Sequence, residues 1–384
     1  MRIFISALEP SANIHLRELG KHLNELARAN GEKIELLGIF DSSVFENLQY
    51  VDVKSSYELS AFATMGFVDV LKRIFFYKRV NEEMVYLANT CDKALLIDSS
   101  SFHIPLAKGL KKLRKNNKKP EIIYYILPQV WAWKPWRAKT IEKICDRICA
   151  TLPFELSLYP NALKNGKAEF VGHPLLDSLP LKSLKTRGEN IVFMPGSRKS
   201  EIKRIFPLFI ELSQKMNDSP KVLVLPIHFA KLSKQELYKI YGQEIENFSV
   251  SFDAIFHLQS CKFAFICSGT ATLQAALLGA PFCLAYTMRK VEFYLIRAFV
   301  HLNVVGLANI LYQAALGQTA GKGEARLHNE YIQDDLNVEN LLKGYEKFDY
   351  ETYAKESKKL REYLKQGSSE RIAQILMQSL IKKG

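Results

Sequence analysis

The sequence predicts an α/β protein of two Rossmann-like domains, each a parallel sheet wound with helices. Three observations predict it. Short apolar runs alternate with amphipathic stretches through the first half. The same alternation restarts after a polar, Lys-rich stretch at about 180–188. The third is Phe263–Met288, FAFICSGTATLQAALLGAPFCLAYTM, the stretch the rest of the chain is organised around, which reads strand, tight turn, small-residue helix, strand. That is the crossover unit of a parallel sheet. At 384 residues the chain exceeds one typical core. The expected division is 1–180, 189–350, and a helical tail at 351–384 that packs back on the body or on a partner subunit.

In the first domain Arg2–Ala7 reads as a strand. Ser11–Arg28 then carries Leu16, Leu19, Leu23 and Leu26 at helical spacing. Ile34–Ile39, Ala94–Ile97, Ile122–Leu127 and Arg147–Leu152 read as further strands. Ligands of such domains gather at the carboxyl ends of strands. Two of those ends bear carboxylates: Glu9-Pro10-Ser11 after the first strand and Asp98-Ser99-Ser100 after Ala94–Ile97. A carboxylate there can serve as a general base or simply cap a helix; these residues alone leave both open.

Met65–Arg79 mixes Met65, Phe67, Val68, Leu71, Phe75 and Phe76 with Lys72, Arg73, Lys78 and Arg79. The mixture suits an interfacial helix on anionic lipid or a core helix with one charged face. Leu127–Arg137 (LPQVWAWKPWR) holds all three Trp residues in a Pro-interrupted loop, for packing or for a carbohydrate or acyl site. Phe170–Pro174 reads as a sharp turn presenting His173, either titratable or a satisfied structural histidine.

The second domain opens with Ile191–Met194, followed by Pro195-Gly196-Ser197-Arg198 and a helix from about Lys199 that Pro207 kinks or closes. Free N–H groups at a helix start, with a guanidinium beside them, make an anion cradle. Val222–Pro226 and Phe248–Phe252 are further strands. The turn Ser268-Gly269-Thr270 reads as a second cradle, or as the cap of an ordinary crossover helix. Near the end, Glu370–Ile381 is amphipathic, with Ile372, Ile375, Leu376 and Leu380 on one face.

Composition narrows the function. Lys and Arg outnumber Asp and Glu by 53 to 40, a formal +13, which points to nucleic acid, a phosphorylated substrate or an anionic membrane. The six Cys sit mostly in apolar runs without a CxxC pair, as expected of reduced thiols in a cytoplasmic protein. MRIFISALEPSANIH lacks a signal peptide's long apolar region. No GxGxxG follows a strand, and no HExxH, DxD or Cys/His spacing is present, so neither a dinucleotide cofactor nor a metal is expected.

Several strings, in order along nearly the whole chain, resemble the lipid-A-disaccharide synthase family of inverting glycosyltransferases. They are Thr64–Leu71 (TMGFVDVL), Ile97–Phe102 (IDSSSF), Leu127–Trp133 (LPQVWAW), Leu152–Glu155 (LPFE), Val171–His173 (VGH), Pro195–Arg198 (PGSR) and Ser268–Leu273 (SGTATL). The resemblance implies a GT-B-type fold with its active site in the interdomain cleft. It implies transfer of a sugar from UDP-2,3-diacylglucosamine to 2,3-diacylglucosamine 1-phosphate, releasing UDP. Asp98 matches the family's essential aspartate and is expected to be the base. Arg198 and Ser268-Gly269-Thr270 are expected to meet the diphosphate, with Asn309 and Gln333 near the nucleotide. Glu9, Ser11, His173, Gly196, Ser197 and Gln274 complete the expected substrate-binding set. The Met65–Arg79 segment, with Phe293–Phe299, would receive acyl chains during peripheral association with the inner face of the cytoplasmic membrane. A homodimer is compatible with this reading; a nucleic-acid partner is not expected. The chain departs from the family pattern in three places. The first turn reads Leu8-Glu9-Pro10-Ser11-Ala12-Asn13 where the family has GEASGD. Ser101 replaces a second acid, and Gln274 replaces a Glu. The rival readings are a UDP-N-acetylglucosamine epimerase-like enzyme with the same architecture and, on charge alone, a nucleic-acid-binding module.

Overall fold

The computed structural model resolves two compact units, residues 1–178 with 364–384, and residues 179–363. It describes residues 1–57, 59, 62, 70–114, 120–181, 187–216, 219–267, 269–290, 293 and 302–381, without the side chains of 10–11, 70–73 and 379–381.

Seven parallel strands form the first unit's sheet: β1 (Arg2–Ser6), β2 (Ile34–Ile39), β3 (Val51–Ser55), β4 (Lys93–Ile97), β5 (Glu121–Tyr125), β6 (Arg147–Ala150) and β7 (Ala168–Phe170). Their order is β3-β2-β1-β4-β5-β6-β7. Side chains alternate faces along a strand. Ile3 and Ile5 therefore pack with Leu16, Leu19 and Leu23 of the helix Pro10–Ala29, whereas Phe4 turns to the opposite core with Val80, Met84, Leu106 and Ile141. Both faces are covered, which is why β4 (KALLI) is buried throughout and reads as a continuous apolar run. Pro10 sits in the first turn of its helix, where its missing N–H costs no bond.

The tail expected at 351–384 divides between the units. Tyr350–Leu364 lies largely in the second, and Ser368–Ile381 belongs to the first. Ile372, Ile375 and Leu376 are fully buried in the core that holds Leu16 and Leu19. The start of this last helix is pinned by Asp177, whose carboxylate accepts from the N–H groups of Gly367 and Ser369, both at 2.7 Å. A carboxylate at a helix N-terminus also suits the helix dipole.

Six parallel strands make the second sheet: β8 (Ile191–Met194), β9 (Lys221–Val224), β10 (Ser249–Ser251), β11 (Phe263–Ile266), β12 (Phe282–Tyr286) and β13 (Glu330–Ile332), ordered β10-β9-β8-β11-β12-β13. Phe193, Phe209, Phe248, Phe263 and Phe265 build its aromatic core. The helix Lys199–Gln214 runs through Pro207 without ending there.

Three strands escape the sequence reading: β3, β7 and β13. Each lies at a sheet edge and is only partly buried, so its residues carry no apolar run. All six cysteines are free and buried. No helix among the described residues is long and apolar enough to cross a membrane.

Glu155 of the LPFE string is 1% exposed, and its Oε2 has no hydrogen-bond partner among the described residues. Burial pushes its pKa up to about 8. The folded state thus holds a proton that the unfolded chain releases near the ordinary glutamate value. This carboxyl's contribution to stability is intact below that value and is lost as pH rises through about 8. Glu155→Gln is accordingly expected to melt roughly 4–8 °C above the wild type at alkaline pH and level with it at about pH 4, as read by scanning calorimetry.

Candidate active site

In each sheet the strand order reverses at one point, between β1 and β4 in the first and between β8 and β11 in the second. A crevice forms outside the strand ends at such a switch point. Six of the candidate residues stand on the turns that leave these four strands: Glu9 and Asp98 in one unit, Gly196, Ser197, Arg198 and Gly269 in the other.

In the first unit, the turn after β1 is shaped by Asn13. Its buried amide donates to the carbonyls of Ala7 (2.8 Å) and Glu9 (2.9 Å) and accepts from the N–H of Asp41 (2.8 Å). This residue stands where the family pattern has its closing acid, and it braces the turn. Glu9 is left exposed at the tip. Ser11 begins the following helix, with its side chain outside the described set.

Asp98 immediately follows β4 with φ of +57°, Ser99 follows with +30°, and Ile126 beyond β5 has +55°. Side-chain-bearing residues seldom adopt such angles, and a β-branched one least of all. Backbone strain concentrates at functional sites. The Asp98 N–H donates to the carbonyls of Tyr125 (3.1 Å) and Ile126 (3.2 Å), which fixes the turn to β5. Its carboxyl pKa is raised above the usual aspartate value, first by partial burial and then by the charge of Glu9, while a Ser99 hydrogen bond opposes both. A carboxylate with a raised pKa is a stronger base. Nearby, Arg137 donates to Ser100 Oγ at 2.7 Å, and Ser99 Oγ is enclosed with no partner among the described residues.

His173 is not part of this group. Three strand spacings separate β7 from β4, about 14 Å across the sheet. Its N–H donates to Lys365 O (2.9 Å) and its Nδ1 accepts from the Leu175 N–H (3.3 Å). Burial, helped by neighbouring His15, lowers its pKa to about 3. A neutral structural histidine therefore replaces the titratable one entertained from sequence.

In the second unit, β8 and β11 are paired through Met194 and Ile266, so the two glycine turns leave neighbouring strands. Gly196 has φ of +104°, and a Cβ there would meet Glu201 Oε2 at 2.8 Å and Cys267 Sγ at 3.2 Å. Only glycine fits. Ser197 and Arg198 follow, exposed, just before the helix Lys199–Gln214. The Arg198 side chain is 78% exposed, and its guanidinium rests on Glu201 at 2.8 Å. Gly269, φ +120°, caps the helix Thr270–Leu278 and faces open space. The first N–H groups of a helix have no partner within it. Two helix starts and one guanidinium thus stand on turns that leave neighbouring strands, and N–H groups and a cation so placed favour an anion. Ser268 lies outside the described residues; Gln274 is half-buried one turn into the helix.

Asn309 and Gln333, expected near the nucleotide, are both hydrogen-bonded within the second unit. Asn309 is 0% exposed; its amide donates to His328 O (3.0 Å) and Glu330 Oε1 (2.7 Å) and accepts from the N–H groups of Leu327 (2.7 Å) and His328 (3.2 Å). It is a brace between the helix Leu307–Ala315 and β13. Asn309→Ala orphans several buried polar groups and is expected to cost about 2–4 kcal/mol of stability, visible in chemical denaturation. Gln333, with φ of +55°, accepts from Thr287 Oγ1 (2.6 Å) and donates to Met288 O (3.2 Å), tying β13 to the segment after β12.

Of the expected acyl-chain segment, Met65, Phe67 and Val68 lie outside the described residues, as does the Leu71 side chain. Most of Phe293–Phe299 does so too. Phe75 is 69% exposed and Ile74 57%. Phe76 instead packs inward, with ring centroids 6.1 Å from Tyr57 and 5.6 Å from Phe62.

The sequence profile of the family described as Lipid-A-disaccharide synthetase matches residues 3–374. The chain belongs to this family. Among lipid-A-disaccharide synthases, that of Helicobacter acinonychis (strain Sheeba) is 48% identical over 97% of this chain and 96% of its own length. The Campylobacter jejuni (strain RM1221) enzyme is 41% identical over 97% and 98%. Solved structures share the GT-B fold at low identity. The S. aureus MnaA-UDP co-structure aligns with TM-score 0.58 and 14% identity over 99% of this chain and 96% of its own. The calicheamicin glycosyltransferase CalG4 gives 0.58 and 14% over 100% and 98%. UDP-GlcNAc 2-epimerase from Neisseria meningitidis, bound to UDP-GlcNAc, gives 0.56 and 12% over 99% of each. The family is one of glycosyltransferases, and the epimerase likeness is one of fold.

His103, Tyr124 and Glu201 hold candidate residues in place, and Glu330 holds Asn309. Only Glu201 carries a signal, an acid three residues into a helix whose start was recognised.

Proposed function

We propose that this member of the lipid-A-disaccharide synthetase family transfers 2,3-diacylglucosamine from its UDP conjugate to 2,3-diacylglucosamine 1-phosphate. The observation that carries the reading is the half-buried carboxylate of Asp98, strained and raised in basicity at a switch point of the first sheet. Asp98 takes the proton of the acceptor's 6-hydroxyl as that oxygen bonds to the donor's anomeric carbon. The bond from that carbon to the diphosphate breaks with inversion, and its electron pair leaves with UDP. Arg198 and the helix starts at Gly196–Lys199 and Gly269–Ala271 meet the charge that develops on the leaving group. Exposed Ile74 and Phe75, beside exposed Lys78 and Arg79, suit peripheral contact with an anionic membrane surface that holds both lipids.

The test is UDP release from the purified protein. Release that requires both UDP-2,3-diacylglucosamine and the 1-phosphate acceptor, dispersed together in detergent, is expected. No release with both lipids, beside epimerisation of UDP-N-acetylglucosamine without an acceptor, would replace the reading with the epimerase one.

A further inference from the structure

The Asp98 carbonyl, apart from its carboxylate, is held by two buried side chains. It accepts two side-chain hydrogen bonds at once, from Tyr124 Oη at 2.7 Å and from His103 Nδ1 at 2.9 Å. Both donors are 0% exposed. A carbonyl can only accept, so His103 carries its proton on Nδ1. Its Nε2 then accepts from the Ser6 hydroxyl at 2.8 Å, and burial keeps the ring neutral, with a pKa of about 4. The connection thus runs from β1 through Ser6 and His103 to the residue after β4, and from β5 through Tyr124 to the same atom. Meanwhile the Asp98 N–H is held by the end of β5. Every polar backbone atom of Asp98 is tied to a strand on one side or the other.

Such bracing has a physical purpose here. An aspartate with φ of +57°, followed by a serine at +30°, sits above its preferred backbone energy and relaxes unless its surroundings over-determine it. Relaxation would swing the carboxylate, because the direction of Cβ is set by the backbone at that residue. We propose that His103 and Tyr124 are positioning residues that lock the Asp98 backbone in its left-handed conformation and so aim the carboxylate at the acceptor hydroxyl. Neither reaches substrate; both act through Asp98. The proposal rests on the assignment of Asp98 as the base.

The test compares His103→Leu, His103→Asn and Tyr124→Phe with Asp98→Asn and with Leu106→Ala. Leu106 is fully buried in the same helix as His103 and makes none of these bonds. His103→Leu and Tyr124→Phe are expected to lower kcat by about 10- to 100-fold with KM for either substrate little changed, the effect of misplacing a reacting group by up to about 1 Å. Asn can place an amide N–H where Nδ1 stands, so His103→Asn is expected to regain most of the lost kcat. Leu106→Ala is expected to lower Tm and leave kcat at the wild-type level. The proposal is overturned if Asp98→Asn is inactive while His103→Leu and Tyr124→Phe keep wild-type kcat, or if kcat across the set simply follows Tm. Activity retained by Asp98→Asn would remove the base assignment, and this proposal with it.

Discussion

Asp98→Asn is expected to lower kcat/KM by about 10²- to 10⁴-fold, the range for losing a positioned general base. It is also expected to leave the fold at least as stable as the wild type. The sign follows from the raised pKa. A carboxyl that is harder to ionise when folded contributes stability that is present below its unfolded pKa and is lost as pH rises through the folded one. Above its folded pKa the wild type bears the cost of a partly buried carboxylate beside Glu9, and the amide removes it. Steady-state kinetics and thermal melts on the same preparation check both halves. An inactive variant with a much lower Tm would make Asp98 structural. In the wild type, kcat/KM should rise with pH along a limb above the ordinary aspartate range. Glu9→Gln should shift that limb toward lower pH, because the Glu9 charge is the second cause of the raised value.

Arg198→Ala is expected to lower kcat/KM by about 10²- to 10³-fold, as when a preorganised donor to a developing anion is removed. Stability should stay within about 0.5 kcal/mol of the wild type, since the pair with Glu201 is exposed on its arginine side. Arg198→Lys should recover only part of the activity, because an ammonium lacks the planar fork that grips two phosphate oxygens. Titration calorimetry with UDP separates the contributions. A large kinetic loss with unchanged UDP affinity places the arginine's action in the transition state. An unaltered kcat/KM would remove Arg198 from the mechanism.

How much of this was legible in the chain depends on where each residue sits in the sheets. Central strands, buried on both faces, announce themselves as apolar runs, so β1, β4, β8, β11 and β12 could be read with the turns that follow them. Asp98, Gly196 and Gly269 were visible for that reason. Edge strands such as VDVKS and EYI alternate with charge or are too short, and nothing in composition marks them. The last helix reads as amphipathic, yet only tertiary structure shows that it returns to the first unit's core, more than 300 residues after its partner Pro10–Ala29. Asn309 and Gln333 could be picked out by family likeness, but their amides are bonded inside the second unit. His103 was invisible because a single histidine on a helix has no period, and its partner Ser6 lies 97 positions away.

The proposed reaction is a single displacement at the anomeric carbon with Asp98 as its base. Proton NMR of the disaccharide 1-phosphate made by the wild type from the α-linked UDP donor tests it most directly. A β linkage to the 6-oxygen is expected from the first turnovers, with no such product from Asp98→Asn. An α-linked product, or a β-linked one formed equally fast by Asp98→Asn, would contradict it.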